Sequence, residues 1–167
     1  MNGSVRILGL DPGLRFTGWG VVESHGTQLR HIAHGVVHST QGAPLAQRLS
    51  ELHRGIDAVV LDFQPQEAVV EETFVNKNPN STLKLGMARG VILLTPALHN
   101  IYVAEYTANQ IKKSVVGVGH AGKEQVEMMV ATILPAARGV KADAADALAA
   151  AITHAHHRKM HRLCGGG

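Results

Sequence analysis

The apolar residues of this chain change their period part-way along it, and that change limits the fold more than any other feature of the sequence. Residues 5–10, 17–23 and 29–38 are apolar or alternating runs of strand length. The first is stopped by the turn sequence Asp11-Pro12-Gly13, and His25-Gly26-Thr27 parts the second from the third, which predicts an antiparallel meander. The spacing then becomes helical, with Leu45, Leu49, Leu52, Ile56, Val60 and Phe63 on one face. Ala68-Val69-Val70 returns to a strand that ends in Glu71-Glu72, and Asn76-Lys77-Asn78-Pro79-Asn80 behind it is rich in turn formers. A helix over 83–98, capped by Asn80 or Ser81, a strand over 101–104, a helix face of Val126, Met129, Val130 and Ile133 ending near Pro135, and a last helix over 142–157 complete the chain. Strands in succession, followed by strands alternating with helices, predict an α/β fold with a mixed central sheet and helices on its faces.

With 167 residues, 45% of them hydrophobic, the chain suits one domain, taken as 1–158, with 159–167 a basic and then glycine-rich tail expected to be flexible. The longest uncharged apolar stretch, 90–98, is about half of the roughly 20 residues a membrane span requires, so no membrane association is expected. A single cysteine, Cys164, has no internal partner and fits a reducing compartment; with no signal-like start, a cytoplasmic protein is expected. A formal charge of +3 indicates a mild affinity for polyanions. The cations fall in groups: Lys77, Lys84 and Arg89, then Lys112, Lys113 and Lys123, then Arg158, Lys159 and Arg162.

Against this basic background a few acids stand in apolar surroundings. Asp143 and Asp146 lie three apart in an alanine-rich helix, so their carboxylates leave one face a turn apart, and the alanines let that helix come close to a sheet. Asp11 and Glu71 end two strands, and parallel neighbours would bring those ends together. Four carboxylates in one pocket repel by roughly 4 kcal/mol per close pair at an effective dielectric near 20. Hard divalent cations resolve that repulsion, and oxygen ligands without cysteine favour Mg²⁺ or Mn²⁺ over zinc. Two such ions about 4 Å apart suit hydrolysis of a phosphodiester.

The segments Leu8-Gly9-Leu10-Asp11-Pro12-Gly13, Glu71-Glu72-Thr73-Phe74, Leu83-Lys84-Leu85-Gly86-Met87-Ala88-Arg89-Gly90 and Ala142-Asp143-Ala144-Ala145-Asp146-Ala147-Leu148 together resemble the bacterial RuvC Holliday-junction resolvases, over roughly residues 5 to 157. The resemblance implies a ribonuclease H-like fold and a Mg²⁺-dependent homodimer. Such a dimer nicks two opposed strands of a four-way junction at a short T-containing sequence, and works with the RuvA and RuvB branch-migration proteins in recombination and repair. The family's four catalytic, metal-holding acids fall on Asp11, Glu71, Asp143 and Asp146, and Glu72 on a position that is not a ligand. Phe74 falls where the family stacks an aromatic on unpaired bases, and Lys112 and Lys123 where lysines approach the scissile phosphate. Lys77, Lys84 and Arg89 are further expected DNA contacts.

Three other readings compete. Gly117-Val118-Gly119-His120-Ala121-Gly122-Lys123 imitates a phosphate-binding loop, but Glu124 occupies the place of the hydroxyl that would hold Mg²⁺, so no nucleotide cofactor is expected. An actin-like ATPase shares the opening Asp-x-Gly but needs two such domains. A non-catalytic binder of branched DNA would not require all four acids. His154, His156, His157 and His161 have a spacing that points to solvated side chains.

Overall fold

The computed structural model describes residues 3–72 and 78–164. Strands β1 (Val5–Asp11), β2 (Phe16–His25) and β3 (Gln28–His38) come first, then helix α1 (Leu45–Phe63), strand β4 (Glu67–Glu72), helix α2 (Pro79–Leu98) and strand β5 (Tyr102–Thr107). Helices α3 (Ala108–Val116) and α4 (Lys123–Ile133), a 3-10 turn at Pro135–Ala137 and helix α5 (Ala142–Cys164) follow. The sheet order is β3-β2-β1-β4-β5, antiparallel across β3, β2 and β1 and parallel across β1, β4 and β5. This is the mixed sheet the sequence predicts.

Alternation along the strands builds two cores. Leu8, Leu10, Val21, Ala68 and Val70 pack with α1 and α2, while Ile7, Val22, Val69 and Ala104 pack with α3, α4 and α5. Helices therefore cover both faces, and every odd-numbered residue of β1 from Ile7 onward, Asp11 included, looks toward α5. Ala145, Ala147, Leu148, Ala149, Ala150, Ala151 and Ile152 of α5 are all buried, as in a helix enclosed between a sheet and a further layer.

Glycines on the strands make that enclosure possible. A Cβ on Gly9 would lie 1.9 Å from the Ala147 carbonyl oxygen, and one on Gly18 would lie 2.1 Å from that of Asp143. Gly20, the register partner of Gly9, would strike the Leu148 side chain. Alanines on the helix supply half of the close approach and these glycines the other half.

Two boundaries differ from the sequence reading. Helix α2 begins at Pro79 rather than residue 83, capped by Asn78, whose side chain accepts from the backbone N–H groups of Asn80 at 3.0 Å and Ser81 at 3.5 Å. Proline suits the first helical position because the N–H it lacks would have had no partner there. Helix α5 runs to Cys164 rather than stopping at residue 157, so part of the expected tail is helical.

Candidate active site

Parallel pairing of β1 with β4 sets Leu10 beside Val70, so the next residues, Asp11 and Glu71, end adjacent strands on the α5 face. Glu72 falls on the other face by the two-residue period of a strand, which keeps it out of the cluster. Helix α5 lays Asp143 and Asp146 over these strand ends. A carboxylate oxygen from each of Asp11, Asp143 and Asp146 can lie within 4.8 Å of the others. Glu71 is outside that triad, yet its charge bears on Asp11.

Burial and repulsion act together on these acids. Burial, then the charges of Asp146, Glu71 and Asp143, push the Asp11 carboxyl up to about 8 from an ordinary 3.8. Burial also raises Asp146 and Glu71. Asp146 adds to the rise at Glu71, while Lys112 and Lys123 pull both groups back down. At neutral pH such a set retains a proton or recruits cations. All the donors are carboxylate oxygens, the chemistry that hard divalent ions prefer, so the residues present fit a metal centre.

The second layer around the cleft brings the lysines. Thr107 ends β5 and opens α3 with reciprocal bonds to Gln110: the Gln110 N–H donates to Thr107 Oγ1 at 3.1 Å, and the Thr107 N–H donates to Gln110 Oε1 at 2.8 Å. Lys112 projects from α3, and Lys123 is the first residue of α4. Together with Glu71, Asp146, Ala108, Ile111, Val126 and Ala149 they line a cleft of about 140 Å³.

A model of the family described as "Crossover junction endodeoxyribonuclease RuvC" matches residues 7–154. The chain belongs to the RuvC family. A RuvC of Paramagnetospirillum magneticum is 62% identical over 92% of this chain and 93% of its own, and one of Azorhizobium caulinodans is 57% identical over 94% and 93%. Among solved structures, Thermus thermophilus RuvC in complex with Holliday junction substrate superposes with a TM-score of 0.83 at 33% identity, covering 93% of this chain and 96% of that one. A yeast mitochondrial Holliday junction resolvase, at 12% identity and a TM-score of 0.68 over 96% of this chain and 84% of its own, shares the fold.

The other residues singled out in the sequence are placed unequally within this RuvC frame. Lys84 is exposed on α2. Arg89 is tied to Glu105 of β5 and is only 20% exposed, so its charge is already matched within the fold. Phe74 and Lys77 lie outside the described residues. The glycine-rich segment follows helix α3, with Gly117 as its left-handed cap at φ 99, and therefore lacks the strand that must precede a phosphate-binding loop. No helix among the described residues is long and apolar enough to cross a membrane.

His154 corrects the expectation of solvated histidines on α5, being 5% exposed. Its Nε2 lies 2.6 Å from Glu67 Oε2 and its Nδ1 lies 3.0 Å from the Tyr106 hydroxyl, while Arg158 Nε donates to the same Glu67 oxygen at 2.6 Å. Burial lowers its proton affinity, so the neutral ring accepts from the Tyr106 O–H and donates to Glu67. Glu67 begins the strand that Glu71 nearly ends. Helix α5 is thus fastened near its middle by this polar knot, and at its N-terminal end it carries Asp143 and Asp146.

Proposed function

We propose that this RuvC-family endonuclease resolves four-way DNA junctions in recombination and repair, using Asp11, Glu71, Asp143 and Asp146 to hold two Mg²⁺ ions, for which Mn²⁺ can substitute. The observation that carries the reading is the convergence of Asp11, Asp143 and Asp146 within 4.8 Å at the ends of β1 and α5, with Glu71 at the neighbouring strand end. Bound there, the ions would supply activation of the attacking water and stabilisation of the leaving oxygen in an in-line displacement. The protein's share is positional and electrostatic. Four carboxylates held on two strand ends and one helix face need little rearrangement before the reaction. Lys112 and Lys123 face the same cleft and set positive charge where a phosphate gains negative charge in the transition state. Lys84 contributes charge along the DNA backbone. Phe74 is assigned to DNA contact on the sequence resemblance alone, and Lys77 on its place in a basic group of the sequence. Arg89 is set apart by its pairing with Glu105.

The active unit is a homodimer, since a two-fold symmetric junction cut at two equivalent points is matched by an isologous pair. Helix α2 supports this assignment with an exposed apolar row: Leu83 at 60%, Met87 at 39%, Leu94 at 54% and Leu98 at 62% exposure. Leu94→Asp should convert dimer to monomer in sedimentation; an unchanged dimer would place the contact elsewhere. The RuvA and RuvB proteins are the expected partners, and the cytoplasm the expected compartment.

The test is to map nicks on a synthetic mobile junction and on a linear duplex of the same sequence in Mg²⁺. Paired symmetric nicks on the junction alone support the reading. Equal cutting of the duplex removes the structure selectivity, and no cutting despite tight binding leaves a junction-binding protein.

A further inference from the structure

Helix α4 carries a second polar group beside the cleft. Glu127 stands one turn after Lys123 on the same side of the helix, and its Oε1 accepts a hydrogen bond from the Ala142 backbone N–H at 3.2 Å. Ala142 is the first residue of α5 and has φ 52, in the left-handed region, where the Cβ of an alanine crowds the following carbonyl oxygen. Asp143 is the next residue and Asp146 lies one turn on. The backbone direction set at Ala142 therefore decides where both carboxylates leave the helix. The charge of Glu127 reaches Asp146 and makes it harder to ionise, so electrostatics alone disfavours an acid here. A local gain must offset that cost, and the N-terminus of a helix, with unpaired N–H groups and a positive dipole end, supplies one for a carboxylate.

We infer that Glu127 is a positioning residue for the cleavage reaction: by accepting the Ala142 N–H it pins the strained first residue of α5 and fixes the Asp143 and Asp146 carboxylates against Asp11. The inference rests on the site reading above, in which Asp143 and Asp146 act directly. Its action passes through the backbone, so what matters is an acceptor atom at position 127 rather than a charge. Glutamine supplies that acceptor and alanine does not. Glycine at position 142 adopts the left-handed conformation without a Cβ penalty and should lessen the need for the bond.

The experiment measures single-turnover cleavage, junction Kd and thermal midpoint in Mg²⁺ for the full chain and for Glu127→Gln, Glu127→Ala, Glu127→Ala with Ala142→Gly, and Asp143→Asn. Glu127→Ala should cut about tenfold more slowly, the loss expected from a displacement well under 1 Å. Its junction Kd should be unchanged, Glu127→Gln should stay near the natural rate, and the added Ala142→Gly should recover most of the loss. The inference is overturned if Glu127→Ala cuts at the natural rate, whatever its midpoint, if Glu127→Gln is as slow as Glu127→Ala, or if glycine at 142 rescues nothing. Asp143→Asn separates the two levels. Undiminished cutting by that variant would remove the site reading itself, whereas a dead Asp143→Asn beside an unaffected Glu127→Ala removes this inference alone.

Discussion

A methyl group added at Gly9 would meet the Ala147 carbonyl oxygen at 1.9 Å, where real Cβ contacts essentially never come under 3.0 Å. That oxygen belongs to the backbone of a buried helix and cannot swing aside. Gly9→Ala therefore has to lift α5 from the sheet by about 1 Å, and Asp146, the residue before Ala147, moves with it. A misplacement of about 1 Å at reacting groups costs on the order of 10²-fold in rate, or about 2.7 kcal/mol of barrier. Overpacking of this kind also lowers stability by about 1–3 kcal/mol, which for a chain of this length moves Tm down by about 2–4 °C per kcal/mol. Single-turnover cleavage of a junction, junction binding and thermal unfolding measure the three consequences separately. Cutting should fall about 10²-fold, Tm should drop by several degrees, and binding should survive because Lys112 and Lys123, the cations of the cleft, are carried by α3 and α4 rather than by α5. A Gly9→Ala protein with the natural rate and midpoint would refute the claim that close seating of α5 sets the geometry of the carboxylates.

Removal of metal should expose the proton held by Asp11. In EDTA, Asp11→Asn should gain Tm on the natural protein as pH rises from about 4 to about 8, because the folded pKa of Asp11 is raised and the folded natural chain retains a proton that the unfolded chain has released. A difference that shrinks over that range contradicts the repulsion argument. Lys112→Ala should slow cleavage by about 10²-fold with a smaller effect on junction Kd, as for loss of one group that stabilises developing charge; weaker binding at an unchanged rate would make the lysine a backbone contact only. His154→Ala should cost about 1–3 kcal/mol of stability by leaving Glu67 and Tyr106 without their buried partner, while cutting by the folded protein stays nearly unchanged. A stable protein with impaired cutting would place His154 in the reaction instead.

Much of this architecture was legible in the sequence because the relevant signals are local. The run ending at Asp11-Pro12-Gly13, the strand ending at Glu71 and the i, i+3 pair of Asp143 and Asp146 each express a backbone period, and the structure brings Asp11, Asp143 and Asp146 together with Glu71 at the neighbouring strand end. What escaped depends on partners far away in the chain. Gly9, Gly18 and Gly20 read as unremarkable strand residues until α5 is laid across them. His154 has the spacing of a solvated histidine, and its burial follows only once β4 and β5 place Glu67 and Tyr106 beneath it. Arg89 resembles any surface cation until Glu105 arrives opposite it. The strained Ala142 is invisible because alanine ordinarily signals an unstrained helix interior, and the acceptor that holds it is 15 residues earlier on α4. The Asn78 cap did carry a signal that was missed: an asparagine immediately before a proline reads as a helix start when the proline is taken as the first helical residue.

The most direct test of the central claim compares the natural protein with Asp146→Asn on one four-way junction, in Mg²⁺ and in EDTA, with cleavage and binding measured on the same samples. The carboxylate cluster predicts cutting only by the natural protein and only with metal, and junction binding by Asp146→Asn that is undiminished or tighter, since one negative charge fewer repels the DNA polyanion. Cutting by Asp146→Asn, or cutting in EDTA, would contradict the account.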